Sequence, residues 1–599
     1  MPWRAWANWW TNGEPPRLRP SCEPLRTACC WCNWRPWRLR STCPMRASSP
    51  RWTACRTVRS MGACAATRPK RPSGFAKASM YPHKWPVCAV TWTRCVKSIV
   101  NFKPNSMSSR RTLKLPAAAA GLLLFTTGCV SHGPPSRSMA PPPTPQLART
   151  TAAPAMQPAQ TARMRGELDA VFAPYFSEGA SFCVLDATGR LAYDRSCHRS
   201  VTPASTQKII VAATAFAVLG GGFRYHTILA SSGPIRNGLL DALWLIGSGD
   251  PILISNDLRG GAKVVAAQGL SSVAGGVVVD GGAIAGPERN PAWDPTDATY
   301  GYASATSGIS LDQDTIEFHT RPTAAGAPAR VFLEPPSKVV AYHSDVITVP
   351  AFEASIIAVD PIATNTFFVH GRIAAGHREV VSYLPVSGIA NYAGDVMDGF
   401  LQARGIRTHR APRAGTAPVG VTNLWNHPSP PLRFIIAKML HESNNHIAEQ
   451  LLRSLGRLSG TTDDAHGIRT EERFLDSHQI ETAGLRLIDG SGLAGANKVS
   501  GATLAATLAS CEMMPACHEL YYALPRGGMD GTLRDYQFGS ALGRVRAKSG
   551  HLSGAESMVG YVTTRRHGRL IFAFLINSAA PASAVDNAIA RGVDVLAGF

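Results

Sequence analysis

The chain has 599 residues and a formal net charge of +21. Residues 1–106 carry 19 Lys and Arg against Glu14 and Glu23, so +17 of that charge sits in one segment. The other 493 residues are close to neutral, which argues against nucleic acid as a partner, and they are enough for two or three domains with a large core.

Residues 1–106 also hold 10 of the 13 Trp and nine of the 14 Cys. Pro interrupts the segment and no apolar period persists, so it carries no foldable pattern. It reads as a non-native or disordered basic extension, of the kind that translation from too far upstream would add. A proper start is expected at Met107. Arg110, Arg111 and Lys114 precede a short apolar run, Leu115 to Phe125, which is too short to span a bilayer but suits a signal peptide. Thr126-Thr127-Gly128-Cys129 resembles a bacterial lipoprotein cleavage site. Residues 107–129 are therefore expected to direct export to the periplasm, with a lipid on Cys129 as the membrane anchor. Val130 after that cysteine favours the outer membrane.

Residues 130–160 are rich in Pro and Ala and read as an extended linker. Globular patterning begins near Leu168, with strands expected at Ser181–Leu185 and Arg190–Tyr193 and a turn around Thr188-Gly189. Cys183, Cys197, Cys511 and Cys517 permit two local disulfides, or pack as small apolar residues. An apolar helix is expected from Ser205 to Leu219. Residues 229–421 are Gly- and Val-rich, with short strands expected at Lys263–Val265, Gly276–Val279 and Val346–Val349. They read as β-rich subdomains inserted into one domain made of 161–228 and 422–599. Helical texture returns at Pro431–Leu455. Strands Met558–Thr563 and Leu570–Ile576 flank a turn at Arg565–Gly568, and a helix from Ala584 to Leu596 closes the chain.

Three short motifs carry chemistry. Ser205-Thr206-Gln207-Lys208 opens the apolar helix, where residues three apart share a face, so Lys208 can reach the Ser205 hydroxyl. A serine needs such a base, and a buried lysine can serve as one. Taken alone, the pair could be a helix cap followed by a surface lysine. Ser443-Asn444-Asn445 lies between two helical patterns and suits a turn that presents side chains. A metal set of His441, Glu442, His446 and Glu449 is conceivable there, but the spacing is not His-Glu-x-x-His, and no metal or cofactor is expected. Lys548-Ser549-Gly550 sits in a strand-like stretch, Val545–Leu552, as on an edge strand that can hold a carboxylate.

In this order, the three motifs are similar to the active-site set of penicillin-binding proteins and serine β-lactamases. Ser205 and Ser443 are 238 residues apart, and Ser443 and Lys548 are 105 apart. With Gly247–Leu253, Trp293, Tyr300–Leu311, Ser429–Leu432, Asp489–Leu493 and Asp530–Leu533, residues 165–599 resemble the low-molecular-mass class C type-4 penicillin-binding proteins. The resemblance implies an α/β (α+β) fold, a transpeptidase-like domain with inserted β-rich subdomains. It implies a D-alanyl-D-alanine carboxypeptidase and endopeptidase that acts on peptidoglycan stem peptides and binds β-lactams. Ser205 would be the nucleophile, Lys208 its base and Ser443 a proton relay. Asn445, Lys548 and Ser549 would bind substrate, and the backbone N–H groups of Ser205 and His551 would form the oxyanion hole. Ser549 stands where Thr is commoner, and Asn444 where Asp is commoner. The rival readings are a serine β-lactamase, for which no Glu-x-x-Leu-Asn segment is found, and a non-catalytic envelope scaffold.

Overall fold

The structure, a computed structural model, describes residues 156–599. The basic extension, the signal segment, Cys129 and most of the expected linker lie outside the described residues. Helix α1, Pro158–Phe172, begins two residues before the expected end of that linker. Met164, Leu168 and Phe172 recur every four residues and form its buried stripe.

A hairpin follows, β1 (Gly179–Leu185) and β2 (Leu191–Arg195), with Gly189 at φ +79° in its turn. Cys183 and Cys197 form a disulfide across it, and Cys511 and Cys517 form a second. Ala204–Gln207 is a single 3-10 turn, and the α-helix proper, α2, runs Lys208–Leu219. The helix expected from Ser205 thus starts with a tighter turn, a common device at helix entrances.

The chain then leaves the body through β3 (His226–Ser231) and β4 (Leu243–Gly247). Helix α3 (Ser255–Ala267) crosses to β5 (Val277–Asp280), which lies parallel to β4. Parallel neighbours need such a crossover. The strand expected at Lys263–Val265 is therefore helix. Leu258, Ala262 and Val265 line its buried face, and the short apolar run did not separate the two periods.

Two smaller sheets follow. In the first, β6 (Thr315–Arg321) lies between β7 (Arg330–Glu334) and a later strand, β12. In the second, β8 (Ala341–Ser344), β9 (Ile347–Val349) and β10 (Ile356–Ala363) all pair with β11 (Thr366–Ala374). Strand β12 is Val380–Pro385, and α4 (Ile389–Gln402) packs back on the first lobe. Strands β13 (Arg413–Ala414) and β14 (Thr422–Pro428) complete a five-stranded sheet in the order β13-β5-β4-β3-β14. His226 pairs with Pro428, so a limit at 229 cuts through β3 and a limit at 421 leaves its partner β14 outside; the insertion's sheet spans 226–428. One apolar cluster, from Leu229 through Phe318 to Leu401, joins its lobes.

The body resumes with α5 (Leu432–Glu442), α6 (Asn445–Gly456), α7 (Asp464–Ser477) and α8 (Gly501–Met513). It ends in β15 (Val545–Leu552), β16 (Ala555–Thr563), β17 (Arg569–Asn577) and α9 (Ala582–Gly598). The central sheet has the order β2-β1-β17-β16-β15, with β15 on its edge. Strand alternation sorts its two faces. Ala180, Phe182 and Val184 join α1 and α9 in one core, whereas the Ser181 hydroxyl accepts from the Gly501 N–H of α8 on the other face. With both faces covered, the strands read as nearly continuous apolar runs.

Candidate active site

The three motifs converge between α2, the α5–α6 junction and β15. Ala204 adopts φ +50°, a left-handed conformation that an alanine enters at a cost of about 1 kcal/mol. It turns Ser205 to the site at the entrance of α2, where the serine is half-buried. Lys208 is completely buried beneath it. Its Nζ lies 2.8 Å from Ser205 Oγ, 2.7 Å from Asn445 Oδ1 and 2.7 Å from the Ser491 carbonyl oxygen.

Those three contacts define what the amine can do. As an ammonium, Lys208 donates to all three. As a neutral amine it has two N–H groups and one lone pair. With the N–H groups kept on Asn445 and Ser491, the lone pair faces the Ser205 hydroxyl. Burial pushes Lys208 down to about 7, while the Glu449 and Asp489 carboxylates pull it upward. The neutral form is thus accessible near neutral pH.

Ser443 closes α5 in a left-handed conformation (φ +54°), and Asn444 caps α6, its Oδ1 accepting from the Ile447 N–H at 3.0 Å. This break aims Asn445 at Lys208. Among the described residues no hydrogen bond joins Ser443 to Ser205 or Lys208. The insertion supports this junction. Asn445 Nδ2 donates to the Tyr302 carbonyl at 3.0 Å, and Asn444 Nδ2 donates to Gln313 Oε1.

Strand β15 brings the third motif. A Cβ on Gly550 would stand 2.9 Å from the Ser205 nitrogen and 3.0 Å from the Pro203 carbonyl oxygen. Only glycine allows the edge strand so near the serine. Lys548 is completely buried, and its Nζ donates to the Ser549 carbonyl. Burial, and then the charge of Lys208, hold it well below the usual lysine range. Ser549 Oγ donates to Thr532 Oγ1 at 2.9 Å. The exposed His551 side chain turns away to Asp586 (3.1 Å) and Tyr536 (3.1 Å), leaving its backbone on the strand beyond Gly550.

The four residues weighed as metal ligands go to separate partners. His446 Nδ1 meets the Ala305 carbonyl at 2.9 Å, Glu442 meets Lys438 at 2.6 Å, and His441 lies 3.9 Å from Asp530. Glu449 accepts from the Gly490 and Ser491 N–H groups.

Sequence reasoning missed Ser491 as a partner of Lys208, because a carbonyl oxygen leaves no mark in side-chain patterns. Asp489–Leu493 stood out only as one of the stretches that carry the family resemblance. In the structure Asp489 accepts from Trp293 Nε1 at 2.9 Å and from the Gly492 and Ala494 N–H groups, fixing the loop. Glu449 had one readable signal: it lies four residues after Asn445, one helical turn along the same face.

A family model described as D-Ala-D-Ala carboxypeptidase 3 (S13) matches residues 173–597. The chain belongs to that family. A relative in it, the D-alanyl-D-alanine carboxypeptidase of Actinomadura sp. (strain R39), is 32% identical over 467 residues, covering 73% of this chain and 86% of the relative. This S13 member is accordingly a serine-type peptidase. Its fold is that of penicillin binding protein 4 from Haemophilus influenzae, with a TM-score of 0.63 at 22% identity over 72% of this chain and 99% of that one. The same protein complexed with a β-lactam aligns at a TM-score of 0.58 and 22% identity, over 71% and 97%.

Proposed function

We propose that the chain is a D-alanyl-D-alanine carboxypeptidase and D,D-endopeptidase that cleaves peptidoglycan stem peptides and cross-links through an acyl-enzyme on Ser205. The observation that carries this reading is the buried amine of Lys208, 2.8 Å from Ser205 Oγ and held by two further acceptors. Lys208 takes the hydroxyl proton as Ser205 Oγ attacks the carbonyl of the penultimate D-Ala. The oxyanion is met by the backbone N–H groups of Ser205 and His551. The C–N bond breaks as Ser443 passes its hydroxyl proton to the departing amine and regains one from the Lys208 ammonium, which returns Lys208 to its neutral form. That amine belongs to terminal D-Ala in a carboxypeptidase turn and to the cross-linking side chain in an endopeptidase turn. Water then adds to the ester and frees Ser205. Asn445 holds the substrate amide, while Lys548 and Ser549 bind the terminal carboxylate.

β-Lactams would acylate the same serine, a reading supported by the complexed Haemophilus protein. The Met107–Cys129 segment supports action in the periplasm with a lipid anchor on Cys129, and mass spectrometry of the mature N-terminus tests both. For the activity, purified protein is incubated with a fluorescent penicillin and, separately, with muropeptides. Wild type is expected to label and to release D-Ala and opened cross-links; Ser205→Ala is expected to do neither. Labelling without release would favour a scaffold, and rapid penicillin turnover a β-lactamase.

A further inference from the structure

Glu449 projects from α6 into the interior, one turn beyond Asn445, and is 2% exposed. Its Oε1 accepts from the Ser491 N–H at 2.8 Å, and its Oε2 from the Gly490 N–H at 3.2 Å. The carbonyl of that same Ser491 accepts from Lys208 Nζ at 2.7 Å. One carboxylate therefore grips, from behind, the peptide segment that orients the amine. Side chain and loop backbone link α6 to the Lys208 amine by two routes, through Asn445 directly and through Glu449 and Ser491.

We infer that Glu449 is a positioning residue of the acylation step. It fixes the Ser491 carbonyl so that the Lys208 lone pair faces Ser205, and it supplies a buried negative charge behind that amine. This rests on Lys208 being the base for Ser205.

The surroundings of the pair set the sign of the effect. From α7, Glu471 is fully buried with both carboxyl oxygens unpartnered, and Asp464 pairs with Arg453 of α6 at 2.6 Å. Asp489 approaches from the loop, and Lys548 from β15. Burial, then Asp489 and Asp464, push the Glu449 carboxyl up, and the charge of Glu449 in turn raises Lys208. In that pair the glutamate charge favours the protonated amine, which cannot act as a base.

The test follows acylation by a fluorescent penicillin across pH, for the full chain and for Glu449→Gln and Glu449→Asp. Glu449→Gln removes the charge and keeps one acceptor oxygen. Its acid limb is expected about one pH unit below that of wild type. Glu449→Asp keeps the charge but withdraws it by one methylene, so its midpoint is expected between the other two; if the glutamine variant does not fold, this variant decides. A rate that falls equally at every pH, with the midpoint unmoved in the folded variants, overturns the inference and leaves Glu449 a loop-shaping residue. Ser205→Ala, run beside them, separates the two readings. If it still labels, the nucleophile assignment has failed; if it does not, an unmoved midpoint counts against Glu449 alone.

Discussion

At the residue scale the site is organised around one amine with three acceptors. Acylation is expected to rise with pH through about 7, because burial holds the Lys208 free base accessible there and the ammonium form has no lone pair. Lys208→Ala should lower the acylation rate about 10²–10⁴-fold and erase that rise. A rapid-mixing measurement of penicillin acylation between pH 5 and 9 checks it; a variant that keeps the same acid limb would assign the limb elsewhere. The serine, the lysine and Asn445 were legible in the sequence, because side-chain chemistry at fixed spacing is a local signal. The Ser491 carbonyl was not. Every residue has such an oxygen, and only the fold decides which one is aimed at the amine.

At the element scale, tight approaches of backbone to backbone hold the motifs together. Gly492 has φ +80°, and a Cβ there would drive into the Ala204 carbonyl oxygen beside Ser205. Gly492→Ala is therefore expected to abolish penicillin labelling and lower the melting temperature, as the loop retreats from α2 and carries the Ser491 carbonyl away from Lys208. Near wild-type labelling would mean the loop can move without cost. The flanking strands β16 and β17 were readable from their apolar runs, as was the long helix that ends the chain. Helix α3 was not: Lys263-Val264-Val265 is β-branched and short, and the buried stripe from Leu258 to Val265 emerges only over a longer window.

At the scale of the whole molecule, the insertion forms part of the active-site wall. Tyr302 and Gln313 hold the Asn444–Asn445 junction, Trp293 holds Asp489, and the Pro287 carbonyl accepts from Arg453 at 2.8 Å. These contacts join residues more than a hundred positions apart, so no local pattern announced them. The insertion also ties stability to pH. Asp250, 2% exposed, is raised from 3.8 to about 7 by burial. Between those values the folded chain keeps a proton that the unfolded chain has lost, so stability falls as pH rises, with the full penalty above pH 7. Asp250→Asn retains the oxygen that accepts from the Ile252 N–H. Its advantage in urea unfolding is expected to be absent near pH 4 and on the order of 4 kcal/mol at pH 8. An advantage that does not change with pH would remove the aspartate from this account.

The central sheet has one more effect, on timing. Its first strand, β1, lies between β2 and β17, so a hairpin made early waits for a partner synthesised nearly four hundred residues later. Pairing across such a separation is slow and comes late in folding. A chain interrupted before residue 548 carries the serine and its lysine but has no edge strand to bring against them. The architecture itself thus delays assembly of the candidate site until the last strands of the central sheet have been made.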